Sequence, residues 1–278
     1  LYDALYHAAS ATLNELAKDA KYLGANIGYI CILHTWGSAM NYHPHIHTIV
    51  LGGGLDDENK WKETGGKFFL PYGVISKVFR GKYLDELKSL WNDSKLKFHG
   101  TAEKYQNSYR FKELLDKCYE KNWVTYCKET FNGAQSVINY LGKYTHRIAI
   151  SNHRIKSMTD TTVTYVVKDY KNEGCWKEKT ISGEEFIRRF MMHVPPKRFV
   201  RIRHYGLLSC RNKRKKITHC RNLLGCKKYI STLKNLNAVE MIRVLYHIDV
   251  CKCSSCGGNM VSPRKDKYSS SFRAHMRC

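Results

Sequence analysis

The chain has 278 residues, with 47 Lys and Arg against 24 Asp and Glu, a formal net charge of +23. That length allows one large domain or a domain with a small appendage, and so large a surplus points to a polyanionic partner, most commonly nucleic acid, rather than to a generally basic surface. No apolar run long enough to span a bilayer and no secretory signal is visible, which sets aside membrane-spanning and secreted classes and makes a cytoplasmic, nucleoid-associated protein the expectation.

Residues 1–22 carry helical periodicity, with Leu5, Ala8, Ala9, Leu13 and Leu16 on one side. IGYICILHTW (27–36) is a nearly unbroken run of apolar, β-branched and aromatic residues, which predicts a buried central strand. After the connection GSAMN, HPHIHTIVL (43–51) predicts a second strand, because Pro44 is tolerable only near its start. Strands joined this closely are most simply antiparallel neighbours. VISKVFRGKYLDELKSLW (74–91) predicts an amphipathic helix, 107–121 a further helical segment, WVTYCKE (123–129) a strand, and 134–144 another helix. Short strands are expected around RIAIS (147–151), TVTYVVKDY (162–170) and KEKTI (177–181). Ser182 and Glu185 form an S-x-x-E capping box before the helix EEFIRRFMMH (184–193). FVRIRHYG (199–206) predicts a strand with Arg201 and Arg203 on one face. Composition then shifts to RNKRKK (211–216) and a cysteine-rich tail, which places a boundary near residue 207, between a main domain (1–206) and a basic tail (207–278). Strands interleaved with helices predict an α+β fold, a mostly antiparallel central sheet with flanking helices.

The stretch NYHPHIHTIVLGGG (41–54) sets three histidines on alternate residues. On a strand, His43, His45 and His47 point one way and Ile46, Thr48 and Val50 the other. The second face can lie on a core. The first presents imidazoles roughly 7 Å apart along the strand, where two can share one metal ion and leave positions open for substrate. Two core histidines bonded to neighbours would give the same pattern.

QSVINYLGKYTHRIA (135–149) places Tyr140 and Tyr144 four apart, on one face of a helix. Such a pair commonly packs a core, but Lys143, His146 and Arg147 beside it suit an anion. A tyrosine hydroxyl can attack a phosphodiester and hold the product covalently. Making the phenolate at pH 7, from a pKa of about 10, costs roughly 4 kcal/mol, which nearby cations can offset. The chain's 19 tyrosines also supply aromatic faces on which unpaired bases stack.

His45-Ile46-His47 resembles the HUH motif (histidine, hydrophobic, histidine), and Tyr140-Leu-Gly-Lys-Tyr144 resembles the paired-tyrosine motif that accompanies it. Together with LHTWG (33–37), LGGGL (51–55), YLGKYTHR (140–147) and RHYGLL (203–208), they make the chain similar to HUH-type, paired-tyrosine, rolling-circle insertion-sequence transposases over nearly its whole length. The resemblance implies a single-strand DNA endonuclease and strand transferase acting on element ends through 5′-phosphotyrosine linkages. Tyr140 and Tyr144 would be the nucleophiles, and His45 and His47 would hold Mg²⁺ or Mn²⁺ against the phosphate, with His43 outside the ligand set. Of two candidates for a third ligand, His34 on the adjacent strand is preferred to Gln135. Lys143 and Arg147 would touch phosphate, as would Arg201, Arg203, Arg211, Lys213, Arg214, Lys215 and Lys216 along the basic stretches. Members of that family usually carry a cysteine-rich segment and one more core strand ahead of the region where this chain starts, so an N-terminally truncated sequence is expected.

Seven of the 11 cysteines lie in the last 69 residues. Cys253-x2-Cys256 and His275-x2-Cys278 have the spacing of a tetrahedral structural Zn²⁺ site, while Cys220, Cys226 and Cys251 are competing ligands and free thiols the simpler alternative. Two other functional classes fit the same residues: a DNA-binding module without chemistry, and a metal-dependent hydrolase that activates water.

Overall fold

Two apolar, β-branched runs close to one another in sequence form the centre of the fold. The structure, a computed structural model, describes residues 1–65, 70–128, 131, 133–145, 148–169, 172–227 and 233–260, the side chains of 134 and 143–145 excepted. β1 (Asn26–Trp36) pairs antiparallel with β2 (Tyr42–Leu55) on one edge. On its other edge it pairs with β7 (Ile202–Gly206), and β3 (Trp61–Glu63) extends the sheet beyond β2, giving the order β3-β2-β1-β7. The expected α+β class with an antiparallel central sheet is the one observed.

Alternation along β1 separates two faces. Ile27, Tyr29, Cys31 and Leu33 pack with Ile46 and Val50 of β2 against Leu5, Tyr6, Leu13 and Leu16 of α1 (Tyr2–Lys18) and against Val74, Ile75 and Val78 of α2 (Tyr72–Asn92). A fully buried aliphatic side chain among them, such as Ile27 or Leu33, is worth about 1.5–3 kcal/mol. Tyr6 is wholly buried, and its hydroxyl donates to the Arg201 carbonyl while accepting from the Leu33 amide, so α1 is tied to β1 and to the approach to β7. The glycines of LGGGL allow close strand approach. A Cβ on Gly53 would sit 2.5 Å from the Lys62 carbonyl oxygen and from the Trp61 ring, and one on Gly54 2.6 Å from the Asn26 carbonyl oxygen.

A second sheet, β4 (Ile155–Met158), β5 (Thr162–Asp169) and β6 (Cys175–Ser182), is also antiparallel. With α5 (Gly183–Met191) it buries Tyr165, Val167, Phe186 and Phe190 against Trp36, Ala39 and Met40 at the β1–β2 connection. α3 (Ser108–Glu120) packs Phe111 and Leu115 on Leu84 of α2, and α4 (Ala134–Thr145) carries the paired tyrosines. The chain divides into two compact units, Leu1–Leu223 and Leu224–Cys278. The basic run therefore lies in the first unit, on α6 (Lys213–Leu223), whose buried Cys220 packs with Leu55 and Leu207 and whose His219 donates to the Asn59 carbonyl. α7 (Ala238–Tyr246) belongs to the second unit and opens on a complete capping box, Asn237 with Glu240.

Four expectations of local structure need correction. Residues 123–128 form no strand and 129 lies outside the described residues. α2 holds the segment instead, Ser76 donating to the Trp123 carbonyl and Thr125 to the Tyr72 carbonyl, which leaves Val124 and Tyr126 91% and 81% exposed. Residues 148–151 turn at Ala149 (φ 56°), so the strand begins later, at Ile155. The Ser182 hydroxyl caps the Glu185 amide, but the Glu185 carboxylate pairs with Arg188 and Arg189 rather than returning to the cap. β7 starts at Ile202, after Arg201.

Candidate metal centre and tyrosine helix

The β1–β2 register sets His34 opposite His45 and Ile32 opposite His47. Opposed residues share a face, so all three histidines stand on the side of the sheet away from α1 and α2. Their candidate ligand atoms lie within 4.8 Å of one another. The Nε2 atoms of His45 and His47 are 3.1 Å apart. His45 Nδ1 donates to the His43 carbonyl at 2.7 Å; since a carbonyl only accepts, the proton is on Nδ1 and the Nε2 lone pair faces His47. That backbone contact is the kind that orients metal-bound imidazoles. His34 is 4% exposed and stacks on Trp36, with ring centroids 4.4 Å apart and planes 18° apart. Its ring is also 4.4 Å from that of His47.

Burial, with smaller contributions from His34 and His45, lowers the pKa of His47 to about 3, and burial lowers that of His45. Both are neutral at pH 7, the form that ligates metals. Three imidazoles converging on one point, two of them neutral and one with its tautomer set by the backbone, fit a divalent ion with open coordination positions. His43 contributes its carbonyl and an exposed ring, and Gln135 turns its amide to Asn139 at 3.1 Å. His34 therefore completes the cluster.

Against this cluster stands Tyr140 of α4, its hydroxyl 3.0 Å from His47 Nδ1. Phe131 packs edge-on against the Tyr140 ring, 5.2 Å between centroids. Tyr144 is one turn further along α4; its side chain and that of Lys143 lie outside the described residues, as does Arg147 entirely. Sequence reasoning missed three features: the Trp36 stack, the Phe131 contact and the direct bond from Tyr140 to His47. Trp36 was detectable, because it stands two residues after His34 on the same strand face.

The basic candidates are unlike one another. Arg203 lies 4.0 Å over the Tyr6 ring and pairs with Asp3, whereas Arg201 sits over Trp36 at 5.8 Å. Arg211, Lys213, Arg214 and Lys215 are exposed and Lys216 half-buried. In the second unit, residues 251–260 fold into a tight hairpin in which Cys253 exchanges backbone hydrogen bonds with Gly257 and Gly258. Amide N–H groups of Cys256 and Ser255 lower the pKa of the Cys253 thiol. His275 and Cys278 lie outside the described residues.

An antiparallel α+β sheet with two histidines flanking a hydrophobic residue on an inner strand fits the HUH-like description. Residues 28–216 match the Y2_Tnp family, described as "Putative transposase", and the chain belongs to that family. It is 40% identical over 226 residues to "Putative transposase y4qJ" of Sinorhizobium fredii, covering 81% of this chain and 57% of that one. It is 28% identical over 264 residues to "Transposase for insertion sequence element IS801" of Pseudomonas savastanoi pv. phaseolicola, covering 94% of this chain and 62% of that one. The chain thus spans about three-fifths of the length of these relatives. No solved structure matches. Among the described residues, no helix is long and apolar enough to cross a membrane.

Proposed function

We propose that this chain works in DNA transposition as a single-strand endonuclease and strand transferase of the rolling-circle type. The observation that carries the reading is the 3.0 Å contact between the Tyr140 hydroxyl and His47, a member of the histidine cluster. The Tyr140 hydroxyl gives up its proton to solvent and its oxygen attacks the scissile phosphorus, forming a tyrosine–phosphate ester at the 5′ end. The bond from phosphorus to the leaving 3′ oxygen breaks, and that oxygen takes up a proton. A 3′-hydroxyl attacking the linkage reverses the chemistry and joins strands. Tyr144, one turn along the same helix, supplies a second nucleophile, so that a second cleavage can precede release of the first end.

His34, His45 and His47 would hold a divalent ion, and an all-nitrogen set favours Mn²⁺ over Mg²⁺. Bound there, the ion supplies charge that polarises the phosphate. When its Nε2 serves as ligand, His47 carries its proton on Nδ1 and donates it to Tyr140, which aims the nucleophile and stabilises negative charge on its oxygen. Lys143, Arg147, Arg201 and the exposed cations of α6 would line the path of the phosphates, with the 1–206 region as catalytic domain. Cys253 and Cys256, with His275 and Cys278, would bind a structural Zn²⁺ in the tail. The expected localisation is with the nucleoid.

The test is incubation with labelled single-stranded DNA, with and without Mn²⁺, followed by denaturing electrophoresis. A metal-dependent protein–DNA adduct, lost when Tyr140 and Tyr144 are both phenylalanine, is the expected result. Cut DNA with no adduct would replace this reading with water-activated hydrolysis, and binding without cutting would replace it with a DNA-binding module.

A further inference from the structure

At the end of β1, walled in part by Trp36, on which His34 stacks, is a cavity of about 220 Å³. Tyr2, Leu33, Trp36, Met192, Pro195 and Pro196 give it largely apolar walls. Met192 and Val194 at its rim are 36% and 44% exposed, so it opens to solvent. Its polar edge comes from Thr35, His193 and Arg201. Thr35 and His193 are 6% and 3% exposed. His193 Nε2 donates to the Met40 carbonyl at 3.1 Å, so Nδ1 accepts from the Thr35 hydroxyl at 3.1 Å. That leaves the Thr35 oxygen with lone pairs to offer, beside the Arg201 guanidinium. The segment 192–196 is thereby pinned to β1 and to the turn at Met40, and the cavity is preformed.

Trp36 belongs to both places. His34 is stacked on it, and the same indole lines the cavity beneath the Arg201 guanidinium. An apolar slot with an aromatic wall, an arginine and a few edge polar groups is the chemistry that takes a flat heteroaromatic ring. We propose that the cavity receives one unpaired base of single-stranded DNA, from a nucleotide flanking the phosphate at the histidines. The inference rests on the reading of that cluster as a DNA site. It adds a residue-level contact with a base, through Trp36 and Arg201, to a site otherwise built to hold phosphate.

The experiment measures binding in the Tyr140→Phe chain with chelator present, so neither cleavage nor metal enters. The probes are oligothymidylate and a strand of the same length made wholly of abasic residues. Stacking of one base predicts that Trp36→Leu weakens oligothymidylate binding by about 5- to 100-fold and leaves the abasic strand's affinity unchanged. Equal loss on both probes, or no loss on either, overturns the pocket while leaving the cleavage reading to its own adduct assay. Failure of the Tyr140→Phe chain, with Trp36 intact, to bind either strand also overturns the pocket and leaves the cleavage reading to its own adduct assay. A second measurement needs no change at Trp36: photocrosslinking with 5-iododeoxyuridine strands should attach to Trp36, Tyr2 or Met192. Crosslinks confined to residues elsewhere refute the assignment.

Discussion

Replacing His45 with alanine removes one of three converging imidazoles and the hydrogen bond to the His43 carbonyl. The lost hydrogen bond costs about 1 kcal/mol, and at about 2–4 °C per kcal/mol for a unit of 150–250 residues the metal-free melting temperature should fall by about 2–4 °C. The larger signal is in the response to metal. An ion at 100 times its Kd stabilises the native state by about 2.7 kcal/mol, a rise of about 5–11 °C on the same scale. Loss of a direct ligand should weaken the ion at least as much as loss of an outer partner, about 100-fold. The same Mn²⁺ concentration then sits near the Kd of the variant and adds only about 0.4 kcal/mol, or about 1–2 °C. Scanning calorimetry of both chains, with chelator and with Mn²⁺, reads all four values. A full-sized metal-induced rise in His45→Ala would refute the ligand role, and no rise in the parent chain would refute the cluster as a metal site.

Tyr140→Phe keeps the ring against Phe131 but loses the bond to His47. It should lower stability by about 1 kcal/mol in urea titrations and remove every adduct that maps to residue 140 by peptide mass, with those at Tyr144 remaining. The His47 pKa is about 3 when folded against 6.5 for the free side chain, so the unfolded chain binds more protons in that window. The contribution is complete above pH 6.5 and is lost as pH falls towards 3; urea midpoints should therefore drop more between pH 7 and pH 5 in the parent than in His47→Gln, and parallel curves would contradict this. Gly206 has φ +59°, and a Cβ there would lie 1.8 Å from the Ile27 carbonyl oxygen. Gly206→Ala should cost well over 1 kcal/mol and fail to accumulate as folded protein; near-parental stability would show that the β1–β7 edge can yield. Cys253→Ala should abolish zinc in the purified chain by elemental analysis, and unchanged zinc would move that site elsewhere.

The central sheet was legible because two independent signals agreed on it. The apolar run 27–36 and the alternation of 43–51 each call for a strand, and six connecting residues leave an antiparallel pair as the simple solution. The histidine face followed from period two alone. The strand expected at 123–129 failed for a reason no local pattern contains. Trp123, Thr125 and Cys127 do alternate with exposed Val124 and Tyr126, as a strand would. Pairing, however, requires a free edge, and the partner the fold offers is α2, whose Ser76 and Tyr72 take up the backbone and side-chain hydrogen bonds. The basic run was legible as charge, but not as part of the first unit. The burial of Cys220 against Leu55 and Leu207 and the hydrogen bond from His219 to the Asn59 carbonyl put it there.

The role of His34 shows what register adds to composition. On sequence, His34 and Gln135 were both within reach as a third ligand, with His34 on the adjacent strand preferred. The β1–β2 pairing places His34 directly across from His45, whereas Gln135 stands at the exposed start of α4 and is held by Asn139. A slip of one residue in that pairing would turn the whole histidine set of β2 into the α1–α2 core and bring Ile46 and Val50 out to the site. The apolar contacts of Ile46 and Val50 with Leu33 and Tyr29 thus hold the histidines in place from the opposite face. Core packing and the geometry of the candidate metal centre are one constraint. Substitutions at Ile46 should accordingly disturb metal binding without touching a ligand, and Ile46→Val, which removes one methylene at a cost of about 0.5–1.5 kcal/mol, should weaken Mn²⁺ binding less than His45→Ala and more than an equally destabilising change at Leu115 in the α2–α3 cluster.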